Sequence, residues 1–314
     1  MRVIVVGMGI QGAKRRAVAG ADVVATVDPL RDDADRRDVQ EVPLDTYDAA
    51  LVCTPDEPKI ALIEYLLGHQ KHVLVEKPLF APDGDTAFDR LAALARDNNV
   101  ICYTAYNHRF EPHFQRMKEV LDSGVLKTVY ALRMFYGNGT ARLVRESGWR
   151  DRGAGVLPDL GSHLLDTVLF WLGQPPEAPF QVQLARCHEN RAFDHVVITC
   201  DGAPAIQLEM MLLSWRNEFY ADLYAEAGSA HIRSLCKWGP SSFILRDRKL
   251  PSGRPDERAE TLVQPDPTWA LEYAHFKRLC AAPAAHGFGN LDNDRWIGAV
   301  LSDLARQALG DKAN

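Results

Sequence analysis

Five short runs in the first third of the chain, "RVIVVG", "DVVATVD", "DAALVCTP", "HVLVEKP" and "VICYTAY", are apolar almost without interruption. A strand with one wet face alternates polar and apolar residues, whereas a continuous apolar run suits a parallel strand covered on both faces. Helical patterns stand among them: "KIALIEYLLGH", "DTAFDRLAALARDNN" and then "EPHFQRMKEVLDSG". This βαβ rhythm restricts the first part of the chain to an open parallel sheet flanked by helices, an α/β architecture.

From about residue 125 the pattern changes. One long helix is expected over 157–172, followed by the extended segments "FQVQLARCHE", "HVVITCDG", "AIQLEMMLLSW", "NEFYADLYAEAG", "SAHIRSL" and "SSFILRDRKL". Consecutive strands predict an antiparallel or mixed sheet, hence an α+β second domain. Helices near 268–281 and 292–309 close the chain, and "RKLPSGRPDER" (248–258) reads as an exposed loop. The expected division is a parallel-sheet domain over 1–120 and an α+β domain over 121–314.

The 314 residues suffice for about two domains. The net charge of −6 argues against a nucleic-acid partner, because the only dense basic run is Lys14-Arg15-Arg16. Six scattered cysteines form no CxxC pair and suggest reduced core thiols. No run approaches the roughly 18 apolar residues of a membrane helix, and the chain starts directly in a strand. A cytoplasmic protein without a membrane partner is expected.

"RVIVVGMGIQG" places Gly7, Gly9 and Gly12 in GxGxxG spacing directly after a strand, with Ile10 and Gln11 inside the turn. Glycines here permit a tight turn and close approach of a pyrophosphate, and the following helix offers free N–H groups to it. Asp28, sixteen residues beyond Gly12 at the end of the next strand, suits the two hydroxyls of an adenosine ribose. A carboxylate there repels a 2′-phosphate, so NAD is favoured; Arg31 keeps NADP possible. Ligands of open parallel sheets bind beyond the carboxyl ends of the strands. Thr54 and Pro55, Glu76 and Lys77, and Tyr106, Asn107 and Arg109 stand at those positions. Lys77 reads either as a plain surface lysine or as a cation serving a substrate.

In "GAGVLPDLGSHLLD" the apolar face is Leu157, Leu160 and Leu164, continued beyond it by Val168, yet Asp159, His163 and Asp166 fall on a second face of the same helix. Buried carboxylates and imidazoles are unfavourable without partners, so these three form either a satisfied structural network or an active site.

With "GMGIQG", "CTPDEP", "HVLVEKPL", "YNHRFEP" and "GAGVLPDLGSHLLD" in this order and spacing, the chain resembles the Gfo/Idh/MocA family of NAD(P)-dependent oxidoreductases. The resemblance implies a Rossmann domain followed by an α+β domain with an open, mainly antiparallel sheet that mediates homodimers or homotetramers. It also implies a catalytic group of Lys77, Asp159 and His163, and makes Lys77-Pro78 a candidate cis peptide. Two departures stand out: only about twenty residues separate Asp28 from Asp48, where relatives carry a further helix, and Lys59 stands where a histidine is usual.

Oxidising a secondary alcohol requires a hydride acceptor and a base. His163 suits the base, since an imidazole titrates near neutrality, and Lys77 suits the charge developing on the substrate oxygen. Asp159 either orients the imidazole or binds a substrate hydroxyl. Tyr106, Asn107, Arg109, Trp149 and Arg150 are expected to line a carbohydrate pocket, with Asp159 and His163 among its contacts. No metal is expected. The expected activity is a dehydrogenase or ketoreductase acting on a sugar, cyclitol or nucleotide sugar; alternatives are a glycosidase using transient oxidation by NAD and a non-enzymatic dinucleotide sensor.

Overall fold

The computed structural model describes residues 1–81, 84–148 and 150–310. Along the chain run β1 (Val3–Val6), α1 (Ile10–Ala19), β2 (Val23–Val27), β3 (Ala49–Val52), α2 (Lys59–Gly68), β4 (His72–Glu76), α3 (Asp85–Asp97), β5 (Cys102–Ala105) and α4 (Pro112–Asp122). They are followed by β6 (Val129–Gly137), α5 (Ala141–Arg145), α6 (Ser162–Leu172), β7 (Phe180–Arg186), β8 (His195–Cys200), β9 (Ala205–Met211) and β10 (Glu218–Ala225). The last elements are β11 (Gly228–Arg233), β12 (Ser241–Asp247), β13 (Asp256–Leu262), α7 (Thr268–Ala281) and α8 (Leu291–Gly310). No described helix is long and apolar enough to cross a membrane.

The chain forms two compact units, Met1–Asn107 with Pro267–Gly298 and His108–Asp266 with Ala299–Asn314. The boundary expected at residues 120 and 121 is thereby corrected. α7 belongs to the first unit because Tyr273, Phe276 and Leu279 complete a core on one face of its sheet. α4 belongs to the second, where Phe114 packs against Trp171 and Phe219 and its carbonyl accepts the Trp171 indole N–H at 3.1 Å. Both allegiances depend on partners far along the chain, which local patterns do not reveal.

The first unit holds a five-stranded parallel sheet in the order β2-β1-β3-β4-β5. Every residue of β1, β3 and β5 is buried, as continuous apolar strands require. The strand order reverses beside β1, which sets the ligand crevice of such sheets at the carboxyl ends of β1 and β3. Between β2 and β3 there is no α-helix, only short 3-10 turns at Val39–Glu41 and Leu44–Thr46. That loop is anchored instead by Asp35, which accepts from the Thr26 backbone N–H and hydroxyl at 2.8 and 2.7 Å.

The second unit holds an eight-stranded sheet in the order β13-β12-β11-β10-β6-β9-β8-β7. Only β6 and β9 pair in parallel; the other neighbours are antiparallel. Two strands escape the sequence patterns. β6, the strand between β9 and β10, lies where no strand was expected. β13 begins inside the segment expected to be an exposed loop and is almost wholly exposed. Being an edge strand, β13 needs no apolar face: backbone pairing with β12 and the cross-strand pair Arg246–Glu257, at 2.7 Å, hold it, and its charge discourages further pairing.

Candidate active site

The three glycines of the first turn have different reasons to be there. Gly7 has φ +90°, and a Cβ on it would lie 2.7 Å from the Cys53 carbonyl oxygen, where the turns after β1 and β3 meet. A Cβ on Gly12 would lie 1.9 Å from the Gly7 carbonyl oxygen, so this glycine lets α1 start against the turn. Gly9 meets nothing within 4 Å. Two glycines are thus demanded by packing, and the middle one faces open space. Ala13 is the first α1 residue whose N–H bonds back, to Gly9 at 3.0 Å, and no acidic residue sits in the first turn. The start of α1, with Ile10, Gln11 and Gly12, therefore offers N–H groups and a positive dipole end to an anion.

Asp28 ends β2. Its carboxylate accepts the backbone N–H of Met8 at 2.7 Å, of Leu30 at 2.9 Å and of Arg31 at 3.1 Å. Burial pushes its pKa up, but these donors and the Arg31 charge outweigh burial and hold it below the usual carboxylate range. Arg31 makes two bonds to Asp33, at 2.9 and 2.8 Å. Thr54, just past β3, has a buried hydroxyl with no hydrogen-bond partner among the described residues, and Pro55 beside it is exposed. An open glycine, a free helix start, an anionic Asp28 and an orphaned Thr54 hydroxyl at one sheet edge together fit a dinucleotide.

The Glu76-Lys77-Pro78 segment follows β4, and Lys77-Pro78 is a cis peptide, as the resemblance implied. Lys59, buried within α2, donates to the carbonyl oxygens of Glu76 and Pro78, both at 3.0 Å, and to Asp56 at 2.8 Å. The lysine that replaces the usual histidine therefore grips the backbone on either side of Lys77. Glu76, expected to touch cofactor, pairs with Arg15 at 2.6 Å. Arg15 is itself buried, pairs with Glu272 at 2.7 Å and lies 4.3 Å from the Trp269 ring centre. The basic run hid this residue: its neighbours Lys14 and Arg16 are exposed, but Arg15 turns into the unit.

Tyr106 and Asn107 were expected in a substrate pocket. Tyr106 is fully buried with its hydroxyl 3.4 Å from Asp294, and the Asn107 amide donates to Thr268 at 2.9 Å. Their polar atoms bind the end of β5 to α8 and α7. Trp149 lies outside the described residues.

In the second unit, Leu157–Gly161 winds as one π-helical turn before α6. The wider turn breaks the single polar face expected for Asp159, His163 and Asp166. Asp159 is about a third exposed and pairs with Arg150 at 2.9 Å. His163 is 8% exposed, whereas Asp166 is 1% exposed and clasped by Arg109, whose Nε and Nη2 donate at 2.8 and 2.5 Å. Asp166 and Arg109 are thus a structural pair, and Arg150 is partner to Asp159. The π turn packs closely on β9: a Cβ on Gly161 would meet the Met210 sulfur at 2.8 Å. π turns of this kind often mark functional positions. His108, which with His113 and His188 shows no metal-ligand spacing in the sequence, stacks on His163 with ring centres 4.1 Å apart.

The chain matches the family model of the oxidoreductase family NAD-binding Rossmann fold over residues 1–106 and that of the Gfo/Idh/MocA C-terminal domain over residues 114–231. It is 28% identical to the myo-inositol 2-dehydrogenase of Thermotoga maritima over 136 residues, 42% of this chain and 38% of that protein. It is 27% identical to the inositol 2-dehydrogenase of Rhizobium meliloti over 169 residues, 52% of this chain and 46% of that protein. The aligned stretch thus spans less than half of these curated relatives. Among solved structures, levoglucosan dehydrogenase in complex with NADH superposes with a TM-score of 0.81 at 15% identity, covering 99% of this chain and 97% of that one. The UDP-N-acetylglucosamine 3-dehydrogenase of Acidithiobacillus ferrooxidans gives 0.79 at 17%, covering 99% and 98%. By the two family models, each matching the unit whose fold it describes, the chain belongs to the Gfo/Idh/MocA oxidoreductases.

Proposed function

We propose that the protein is an NAD-dependent oxidoreductase that transfers a hydride between the nicotinamide and a secondary alcohol or ketone of a sugar, cyclitol or nucleotide sugar. The observation that carries this proposal is the dinucleotide cradle of the first unit, with its open Gly9, orphaned Thr54 hydroxyl and anionic Asp28. When bound, the nicotinamide supplies the hydride acceptor or donor. His163 accepts the proton of the substrate hydroxyl as the carbonyl forms. Lys77, held in place by the Lys59 grip on its flanking carbonyls, supplies positive charge to the developing oxyanion. Asp159, anchored by Arg150, hydrogen-bonds a substrate hydroxyl. The choice of NAD is supported by Asp28, which repels a 2′-phosphate, and by Arg31, whose guanidinium is engaged by Asp33.

The substrate class is supported by the inositol, levoglucosan and nucleotide-sugar dehydrogenases to which the chain is similar. Incubation with NAD or NADP and a panel of inositols, sugars and nucleotide sugars, followed at the nicotinamide absorbance band, tests it. NADH formation with at least one polyol is expected. Tight NAD binding with no reduction by any member, and none of the reverse reaction with the matching ketones, would overturn the proposal.

A further inference from the structure

A buried set of polar groups in the second unit adjoins His163 and has no part in the steps above. The His108 ring stacks on His163 with planes 17° from parallel and centres 4.1 Å apart, and both residues are over nine-tenths buried. His108 Nε2 lies 3.3 Å from Lys237 Nζ. An ammonium has only protons to donate, so Nε2 accepts and the ring proton of His108 sits on Nδ1. Lys237 stands 4.8 Å from the Trp238 ring centre and 6.0 Å from that of Tyr136. Glu111 and Asp266 supply its countercharge. Glu111 Oε2 accepts the Cys236 backbone N–H at 3.2 Å, and ligand atoms of Glu111, Cys236 and Asp266 lie within 4.8 Å of one another. With an ammonium at this place, the cluster reads as an ion network rather than a metal cage.

We propose that His108 and Lys237 are positioning residues for His163, an inference that rests on the dehydrogenase activity proposed above. Lys237 keeps His108 in its neutral Nδ1–H form, and that neutral ring holds His163 flat against it as an unprotonated base. Two imidazoles in stacking contact cannot both be protonated without strong repulsion, so the pair titrates as a unit. The Tyr136 ring of β6 lies 6.0 Å from that of His163, and Asp159 and Asp166, on the same helical segment, are engaged by Arg150 and Arg109. Burial lowers the pKa of Lys237 against the pull of Glu111 and Asp266, as expected for a cation held away from water.

Removing the ammonium takes a positive charge from beside the imidazole pair and makes the first proton on it easier to add. Lys237→Met is therefore expected to move the acid limb of the kcat/KM profile up by about one pH unit, and Lys237→Arg to restore it. His108→Ala is expected to lower kcat by about tenfold with KM for NAD little changed, and His108→Phe to recover most of that loss by keeping a stacked ring. An acid limb that stays in place in folded Lys237→Met, or an undiminished kcat in His108→Ala, would overturn the proposal. Imidazole NMR titration of the wild-type protein with NAD added needs no variant. Both rings are expected to stay neutral from pH 8 to 6, and protonation of either at or above the ordinary histidine value, about 6.5, would also overturn it. That titration reads the network even if no substrate turns over, so failure of the dehydrogenase proposal and failure of this one are distinguishable.

Discussion

The two units build their functional groups in opposite ways. In the first, the ligand cradle is set on backbone, with glycines that admit a tight turn and N–H groups at the start of α1, and is completed by only two side chains named above, Asp28 and Thr54. In the second, the corresponding polar groups are side chains packed on side chains, with His163 stacked on His108 and Asp166 clasped by Arg109. A backbone site tolerates change in its neighbours as long as the turn survives. A side-chain site depends on partners that are themselves buried, so chemistry and stability are harder to separate there.

The largest expected effect tests that dependence. Asp166→Ala removes one partner of a buried ion pair and is expected to destabilise the protein by about 3 to 5 kcal/mol in denaturant unfolding. A loss under about 1 kcal/mol would place Asp166 outside the structural framework. Next, His163→Ala is expected to lower turnover by roughly 10²-fold or more while NAD binding, measured by calorimetry, stays nearly intact. Equal losses in both would mean that the two units do not divide the work in this way.

A smaller effect probes the backbone-built cradle. A Cβ on Gly9 meets no protein atom within 4 Å, so Gly9→Ala is expected to leave the melting temperature in place yet weaken NAD binding by about tenfold, near 1.4 kcal/mol. Unchanged affinity would show that the dinucleotide does not approach this turn.

The smallest effect is a pH dependence of stability. Burial lowers the pKa of His72, whose Nδ1 accepts the Ile101 N–H at 3.0 Å, and likewise that of His113. The folded state then binds fewer protons than the unfolded state, so stability rises with pH in this window. The full contribution is present above the unfolded value of about 6.5 and falls as pH drops through it. Thermal melts are expected to decline from pH 7.5 to 5, and His72→Asn, which keeps an acceptor for Ile101, is expected to flatten part of that slope. A flat wild-type profile would contradict both assignments.

The cradle was readable because its chemistry is local. The spacing of Gly7, Gly9 and Gly12 after an apolar strand, and Asp28 at the next strand end, each depend on residues a few positions away. The second unit was less readable. The helix spacing of Asp159, His163 and Asp166 promised one polar face, but the π turn and two arginines distribute the three among different surroundings. Arg15, His108 and Lys237 gave no local signal, because what distinguishes a buried cation or a stacked imidazole from an exposed one is the company it keeps in space. Charged β13 escaped for a related reason: an edge strand is held by backbone pairing, which leaves no hydrophobic period.

By itself the sequence determined that five continuous apolar runs would form a parallel sheet, because strands of that composition are stable only when covered on both faces. It also determined the glycine turn, because only residues without a Cβ fit where the turn meets Cys53 and α1 meets Gly7. Tertiary structure alone decided that α7 completes the core of the first unit, and which of the polar residues pair with one another. Burial and ion pairing are sums over neighbours distant in the chain, and no local pattern carries that sum.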